Sequence, residues 1–169
     1  KAGINKSDLD AIAFTEGPGL LGSLLVGGSF AKTLALSIGI PLIAVDHMKA
    51  HILAHFIDEG ETAPEFPFLS LTVSGGHTQI VLVEEPLKMT VIGKTIDDAA
   101  GEAFDKAAKI LNLGYPGGPM IDKLAQEGDA SKFTYATPNT GGFDFSFSGI
   151  KTSFLYHLQK EMKSNPEFI

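Results

Sequence analysis

Apolar residues in the first third of the chain fall into short runs separated by glycine turns. Ala11-Ile12-Ala13-Phe14-Thr15 reads as a short buried strand, and Gly17-Pro18-Gly19-Leu20-Leu21-Gly22 as a tight turn after it. Ser23 then stands at an N-cap position, and Leu24 to Ile38 predicts a helix ended by Gly39. Gly27 and Gly28 inside that helix each cost about 1 kcal/mol against alanine, so the pair predicts close approach of another backbone. Pro41 to Val45 is a second buried run, and Asp46 caps a helix that meets no breaker before Phe56. A β-α-β-α order of this kind predicts parallel strands.

The stretch from Asp58 to Pro67 is polar, acidic and carries two prolines, as a linker would. Two apolar runs follow, Phe68 to Val73 and Thr78 to Val83, with Ser74-Gly75-Gly76-His77 between them; this is a hairpin pattern. Met89 to Lys94 extends it to a third strand. Asp97 to Asn112 predicts a strong helix, acidic at its start and lysine-rich later, with Ala99, Ala103, Ala107 and Leu111 as its packed stripe. Gly114 to Pro119 turns the chain into a short helix from Met120 to Gln126. Phe143 to Ser148 alternates like a half-buried strand, and Gly149 to Met162 reads as a closing amphipathic helix.

Composition narrows the chemistry. The chain has 169 residues and 44% hydrophobic content, enough for a packed core in one large or two small domains. It has no cysteine, so any metal is held by His, Asp, Glu or water. The formal charge is −7 and all 13 basic residues are lysines. Without arginine there is no bidentate fork for phosphate or guanine, so this chain alone is a poor nucleic-acid binder. No signal peptide and no bilayer-spanning apolar run is read, and a cytoplasmic protein without membrane contact is expected. The start at Lys1 and the end at Ile169 suggest a piece of a longer protein.

Three clusters carry candidate chemistry. His47 and His51 are four apart, which on a helix puts both rings on one face, about 6 Å apart along the axis, where they can share a metal ion. Met48 occupies the place of the glutamate base in a His-Glu-x-x-His protease. His55 lies about 12 Å from His47 along the axis, too far to join the same ion. The plain alternative is a set of ordinary helix histidines. The Gly17–Gly22 turn matches G-x-G-x-x-G with Asp46 closing the next strand, which opens a dinucleotide reading, although Pro18 removes an N–H from the loop. The tip at Ser74–His77, with free N–H groups and little side chain, can bring its backbone against phosphate or carboxylate, or be a bare turn. Asp105 is either a solvated acid paired with Lys109 at i,i+4 or a site residue. Asp122, in the first turns of a helix opened by glycines, stands where a ribose or phosphate binds.

Four blocks taken together, GPGLLGSLLVG, HMKAH, VSGGHT and GEAFDKAAKILNLGYPGGP, resemble the TsaD/Gcp family. Its members are tRNA N6-adenosine threonylcarbamoyltransferases, formerly described as O-sialoglycoprotein endopeptidases. The resemblance implies an α/β, actin-like ATPase fold (ASKHA, ribonuclease H-like) with parts of two lobes. Residues 1–60 would close the first lobe and carry the metal-ligand helix; residues 61–169 would open the second and carry the nucleotide loops. It implies His47 and His51 as ligands of one metal ion, iron or zinc. It implies Val73, Ser74, Gly75, Gly76 and His77 as the substrate loop, and Asp105, Gly118 and Asp122 as contacts to the nucleoside; it names no catalytic residue.

The implied reaction passes the threonylcarbamoyl group from threonylcarbamoyl-AMP to N6 of the adenosine beside the anticodon, in tRNAs reading codons that begin with A. The family's N-terminal glycine- and acid-containing strand-turn, its later substrate asparagine and the aspartate that completes the metal site do not occur here. Weak metal binding and no transfer are therefore expected of this piece alone. Implied partners are tRNA through the whole complex, a TsaB-like non-catalytic paralogue and a TsaE-like small ATPase. The rival readings are a metal-dependent glycoprotein endopeptidase, a dinucleotide-binding oxidoreductase using Gly17–Gly22, and a non-enzymatic ATP-binding actin-like module.

Overall fold

The computed structural model describes residues 3–57 and 62–165. Two compact units divide the chain, Lys1–Glu65 and Phe66–Ile169, so the division falls inside the proline-bearing stretch, of which residues 58–61 lie outside the described residues. The fold class is mixed α/β.

In the first unit, β1 (Ile12–Gly17) runs parallel to β2 (Leu42–Asp46), with Ile12 opposite Leu42 and Thr15 opposite Val45. Helix α1 (Leu21–Ile38) makes the crossover. It begins ahead of the predicted start: Leu20 is the capping position, without a side-chain cap, and Ser23 lies within the first turn. Its end is as predicted, with Gly39 in the left-handed region (φ 72°) and its N–H donating to the Ala35 carbonyl. Only the small residues Gly28, Ala31 and Ala35 of α1 are buried. The glycine pair answers to a ring rather than to a backbone. A Cβ on Gly28 would stand 3.5 Å from the Phe14 ring, and one on Gly27 would meet nothing within 4 Å. The outer face leaves Leu25, Val26, Phe30 and Leu36 exposed. Contrary to the sequence expectation, α1 is long and apolar enough to cross a membrane by length and composition, with mean hydropathy 1.4. Glycine, serine, threonine and Lys32 interrupt its apolar run, yet the helix stays apolar on average.

Asp46 caps α2 (His47–Leu53), accepting the Lys49 N–H at 2.9 Å. The helix is shorter than the breaker-free stretch suggested. It tightens into a 3-10 turn over Ala54–Phe56, and His55 leaves α geometry. Ile52 is 2% exposed and anchors the helix.

In the second unit, β3 (Phe68–Val73), β4 (Thr78–Glu85) and β5 (Lys88–Lys94) form an antiparallel meander with β4 central. Thr78, Val81 and Val83 of β4 are buried. Helices α3 (Ala100–Ile110), α4 (Gly117–Ala125) and α5 (Ser148–Ser164) complete it.

Three departures from the sequence reading share a cause, the use of a carboxylate or hydroxyl far along the chain. First, α3 starts after Asp97 and Asp98, because the Thr78 hydroxyl accepts the Ala100 N–H at 2.9 Å and both aspartates serve α5 and its lysine instead. Second, α4 starts at Gly117 rather than Met120, because the Asp105 carboxylate accepts the Gly117 N–H at 2.8 Å. Pro119 then falls in the first turn, where its missing N–H costs nothing. Third, Phe143 to Ser148 is no strand: only Phe145 bridges Thr95, through Lys94 and Ile96. The backbone at Phe143 crosses so closely over Gly93 that a Cβ there would land on the Phe143 carbonyl.

Asp97 joins this segment to the sheet end. It accepts the Phe147 N–H at 2.8 Å, the Ser148 N–H at 3.3 Å and the Ser146 hydroxyl, and so caps α5 from 50 residues away. Burial pushes its carboxyl up, but these three hydrogen bonds outweigh that and hold it below the ordinary carboxylate range. Asp98 bridges Lys106 of α3 at 2.6 Å and Lys151 of α5 at 3.0 Å, and hydrogen bonds from both ammonium groups hold it low as well.

Candidate functional site

Helix α3 is the spine on which the second unit assembles its glycine turns. At its first turn, the Gly101 N–H donates to the Ser74 carbonyl at 3.1 Å. The four-residue turn above it is tied by Ser74: its N–H donates to the His77 carbonyl at 2.8 Å, and its hydroxyl accepts the N–H groups of His77 at 3.0 Å and Gly76 at 3.4 Å. The tip is thus less free than its sequence suggested. Three of its four N–H groups turn inward, and Gly75 N–H has no hydrogen-bond partner among the described residues.

One helical turn further along α3, about 6 Å on, Asp105 holds Gly117. A Cβ on Gly117 would fall on the Ala108 methyl and lie 3.0 Å from the Asp105 Cα. Gly101 and Asp105, four apart, share one face of α3, so the Ser74–His77 turn and the Gly117–Gly118 turn sit side by side along that face. Gly118 and Asp122, four apart on α4, likewise share a face. Asp122 lies in the second turn of α4, beyond the first-turn N–H groups, because the helix begins earlier than predicted. Asp105 pairs with a backbone N–H rather than with Lys109; on α3 the ion pairs belong to Lys106, to Asp98 and to Glu102 at 2.8 Å.

The glycines of this surface differ in what requires them. Gly101 and Gly117 are required by packing. At Gly75 and Gly76 a Cβ would meet nothing within 4 Å, and neither residue has a positive φ. Gly118 is nearly as open, with its first neighbour at 4.0 Å. The fold itself places no demand for glycine at these three positions. A small residue there leaves room for something outside the chain, with backbone approaching backbone or ligand closely.

The first unit, taken by itself, carries the histidine pair. Asp46 fixes the start of α2, and the one-turn spacing brings His47 Nε2 and His51 Nε2 to 3.2 Å, with ring centroids 4.5 Å apart and ring planes at 72°. With metal–nitrogen bonds of about 2.0–2.1 Å, two imidazoles at a tetrahedral angle stand about 3.3 Å apart. The observed separation matches an N–H···N hydrogen bond between the rings, and it is also the separation two nitrogens have when they share one ion. No group of three metal-ligating side chains occurs among the described residues. His47 also lines an open groove with Thr15, Pro18, Gly19 and Ser23, beside the Gly17–Gly22 turn.

Residues 1–167 match the family described as TsaD, tRNA N6-adenosine threonylcarbamoyltransferase. The chain belongs to the TsaD family. Proteins named tRNA N6-adenosine threonylcarbamoyltransferase are similar to it in Christiangramia forsetii (63% identical), Riemerella anatipestifer (62%) and Porphyromonas gingivalis (61%). Each comparison covers all of this chain and half of the relative. The chain thus spans about half the length of the curated relatives it matches. YeaZ from Pseudomonas aeruginosa aligns with 98% of the chain and 72% of its own at 15% identity and TM-score 0.38, too weak a likeness to carry an argument. Membership in the TsaD family disfavours the endopeptidase and oxidoreductase readings.

Sequence reasoning missed Thr78, Asp97, Gly101 and Gly117 as determinants of this surface. A glycine one residue inside an otherwise strong helix was the available signal for Gly101, since its helix cost demands a reason. Thr78 and Asp97 act across 22 and 50 residues and left no local signal.

Proposed function

We propose that this chain supplies the adenylate-holding turns and the histidine pair of an enzyme that moves a threonylcarbamoyl group from threonylcarbamoyl-AMP to N6 of the adenosine beside the tRNA anticodon. The observation that carries the reading is the pair of glycine turns along one face of α3, open at Gly75, Gly76 and Gly118 where the fold asks for no glycine. In this reading Val73, Ser74, Gly75, Gly76 and His77 face the acyl phosphate, and Asp105, Gly118 and Asp122 face the nucleoside. Asp105 is suited to a double role, because one carboxylate oxygen holds Gly117 while the other can accept a ribose hydroxyl.

His47 and His51 would hold one iron or zinc ion through Nε2. When bound, such an ion polarises the carbamoyl carbonyl as a Lewis acid. The chain's own turns would orient the adenylate through their backbone. The surrounding architecture is proposed to be actin-like, with residues 1–60 ending one lobe and residues 61–169 opening the next. The whole protein is proposed to work in the cytoplasm, reaching tRNA through its complex with a TsaB-like paralogue and a TsaE-like ATPase.

The test is calorimetric titration of the full-length protein with threonylcarbamoyl-AMP, beside the variants Gly75→Val and Gly118→Val. Each added side chain occupies the open side of a turn, and a loss of at least tenfold in affinity is expected, about 1.4 kcal/mol. Unchanged affinity in both variants would overturn the assignment of these turns.

A further inference from the structure

We infer that Thr78 and Gly101 are positioning residues that set the height of the Ser74–His77 turn above α3, and thereby the fit of the adenylate. The inference rests on the proposed role of that turn. Three observations carry it. The Thr78 hydroxyl, on a residue 4% exposed, accepts the Ala100 N–H at 2.9 Å and so fixes the start of α3 to the first residue of β4. The next residue, Gly101, donates its N–H to the Ser74 carbonyl. A Cβ on Gly101 would stand 2.8 Å from the Ser74 carbonyl oxygen and 2.9 Å from both Cα and N of Gly75. Those three atoms are backbone, so no side chain can swing away; any residue but glycine lifts the turn.

The turn is therefore pinned on one side and open on the other. Its underside rests on Gly101 and its upper side, at Gly75 and Gly76, meets nothing within 4 Å. Thr78 also ties the turn to the residue that follows β5, since its carbonyl accepts the Thr95 N–H at 2.8 Å. A displacement at Gly101 moves Gly75, whose N–H faces no internal partner, directly. Neither Thr78 nor Gly101 needs to touch the substrate for this to matter, because a misplaced hydrogen-bond donor weakens binding steeply with distance and angle.

The test uses steady-state transfer kinetics of the full-length protein with its partners, varying threonylcarbamoyl-AMP, for Gly101→Ala, Thr78→Val and Thr78→Ser. Gly101→Ala and Thr78→Val are expected to raise KM for the adenylate about tenfold with a smaller change in kcat, the pattern of lost uniform binding. Thr78→Ser, which keeps the hydroxyl, is expected to restore KM to within about twofold. Leu158→Ala, a cavity at a buried residue of α5 that makes none of the hydrogen bonds of the turn, serves as the control for lost stability, and its KM is expected to stay unchanged. Should Gly101→Ala fail to fold, the Thr78 pair carries the test alone. If Gly75→Val weakens binding while Thr78→Val and Gly101→Ala leave KM unchanged, the positioning role is wrong and the site assignment stands. If Gly75→Val also binds normally, the assignment of the turn itself is wrong, and the inference falls with it.

Discussion

Gly117 and Gly118 are adjacent, yet the structure demands opposite outcomes when each becomes alanine. Both sit in the first turn of α4, so the intrinsic gain from replacing glycine in a helix, up to about 1 kcal/mol, is similar for the two. At Gly117 the new methyl falls on Ala108 and crowds the Asp105 backbone at 3.0 Å. Ala108 is 1% exposed and belongs to the buried seam between α3 and α4, so neither helix yields easily. Overpacking of that kind costs about 1–3 kcal/mol. It also stretches the Gly117 to Asp105 hydrogen bond, whose loss adds about 1 kcal/mol. Gly117→Ala is therefore expected to destabilise by about 1–3 kcal/mol net, a fall in Tm of about 2–4 °C for each kcal/mol in a chain of this length. At Gly118 the methyl meets only the Phe104 Cβ at 4.0 Å, an ordinary contact. Gly118→Ala is expected to be neutral or to stabilise by up to about 1 kcal/mol. Urea melts read both values, and titration with threonylcarbamoyl-AMP reads the other half: weaker binding for Gly118→Ala despite an intact fold. Equal destabilisation by the two variants, or unchanged affinity with Gly118→Ala, would refute the division between a packing glycine and a ligand-facing one.

Two further outcomes follow from the aspartates that join α5 to the rest of its unit. Asp97→Ala removes a cap that accepts two N–H groups and a hydroxyl, and because these groups regain water the expected loss is about 1–2 kcal/mol. Hydrogen exchange should show faster opening at the first turn of α5, and unaltered exchange there would contradict the capping role. Asp98 has a folded pKa below its ordinary value of 3.8, so its contribution to stability is present above that value and is lost as the pH falls through the folded pKa. Asp98→Asn is expected to flatten the acid limb of a stability-against-pH curve below about pH 4 and to lower stability throughout the neutral range. An acid limb of unchanged slope would mean that the Lys106 and Lys151 bridges do not govern it.

Whatever depends on neighbours in sequence was legible before any coordinates. The left-handed Gly39 at the end of α1, the Asp46 cap, the meander of three strands and the four-residue spacing of His47 and His51 each follow from residues within one or two turns. The failures lie where a distant group decides a local matter. The alternation of Phe143 to Ser148 mimics a strand because Phe145 does pair, once, with Thr95, but Asp97 then claims the next backbone donors for the start of α5. In sequence the glycines and prolines before Met120 put the start of α4 there, yet Asp105 supplies a cap 12 residues away. Gly27 and Gly28 predict a backbone crossing, whereas the structure seats the Phe14 ring against Gly28 alone.

The glycines show why the candidate site was only half readable. In sequence Gly75, Gly76, Gly101, Gly117 and Gly118 are equivalent, and motif spacing draws attention to the turns while passing over the one inside α3. In the structure they separate into two kinds. Gly101 and Gly117 have no room for a methyl, so substitution there disturbs the fold and reaches the turns only through it. Gly75, Gly76 and Gly118 have room and ordinary backbone angles, so the fold gives no reason for the missing side chain there, and the proposed adenylate would supply one. An open glycine points to a site only where, as along α3, it lies beside another such turn; Gly27 is as open and stands inside α1. That distinction requires coordinates, because it turns on which atoms from remote parts of the chain stand beneath each Cα.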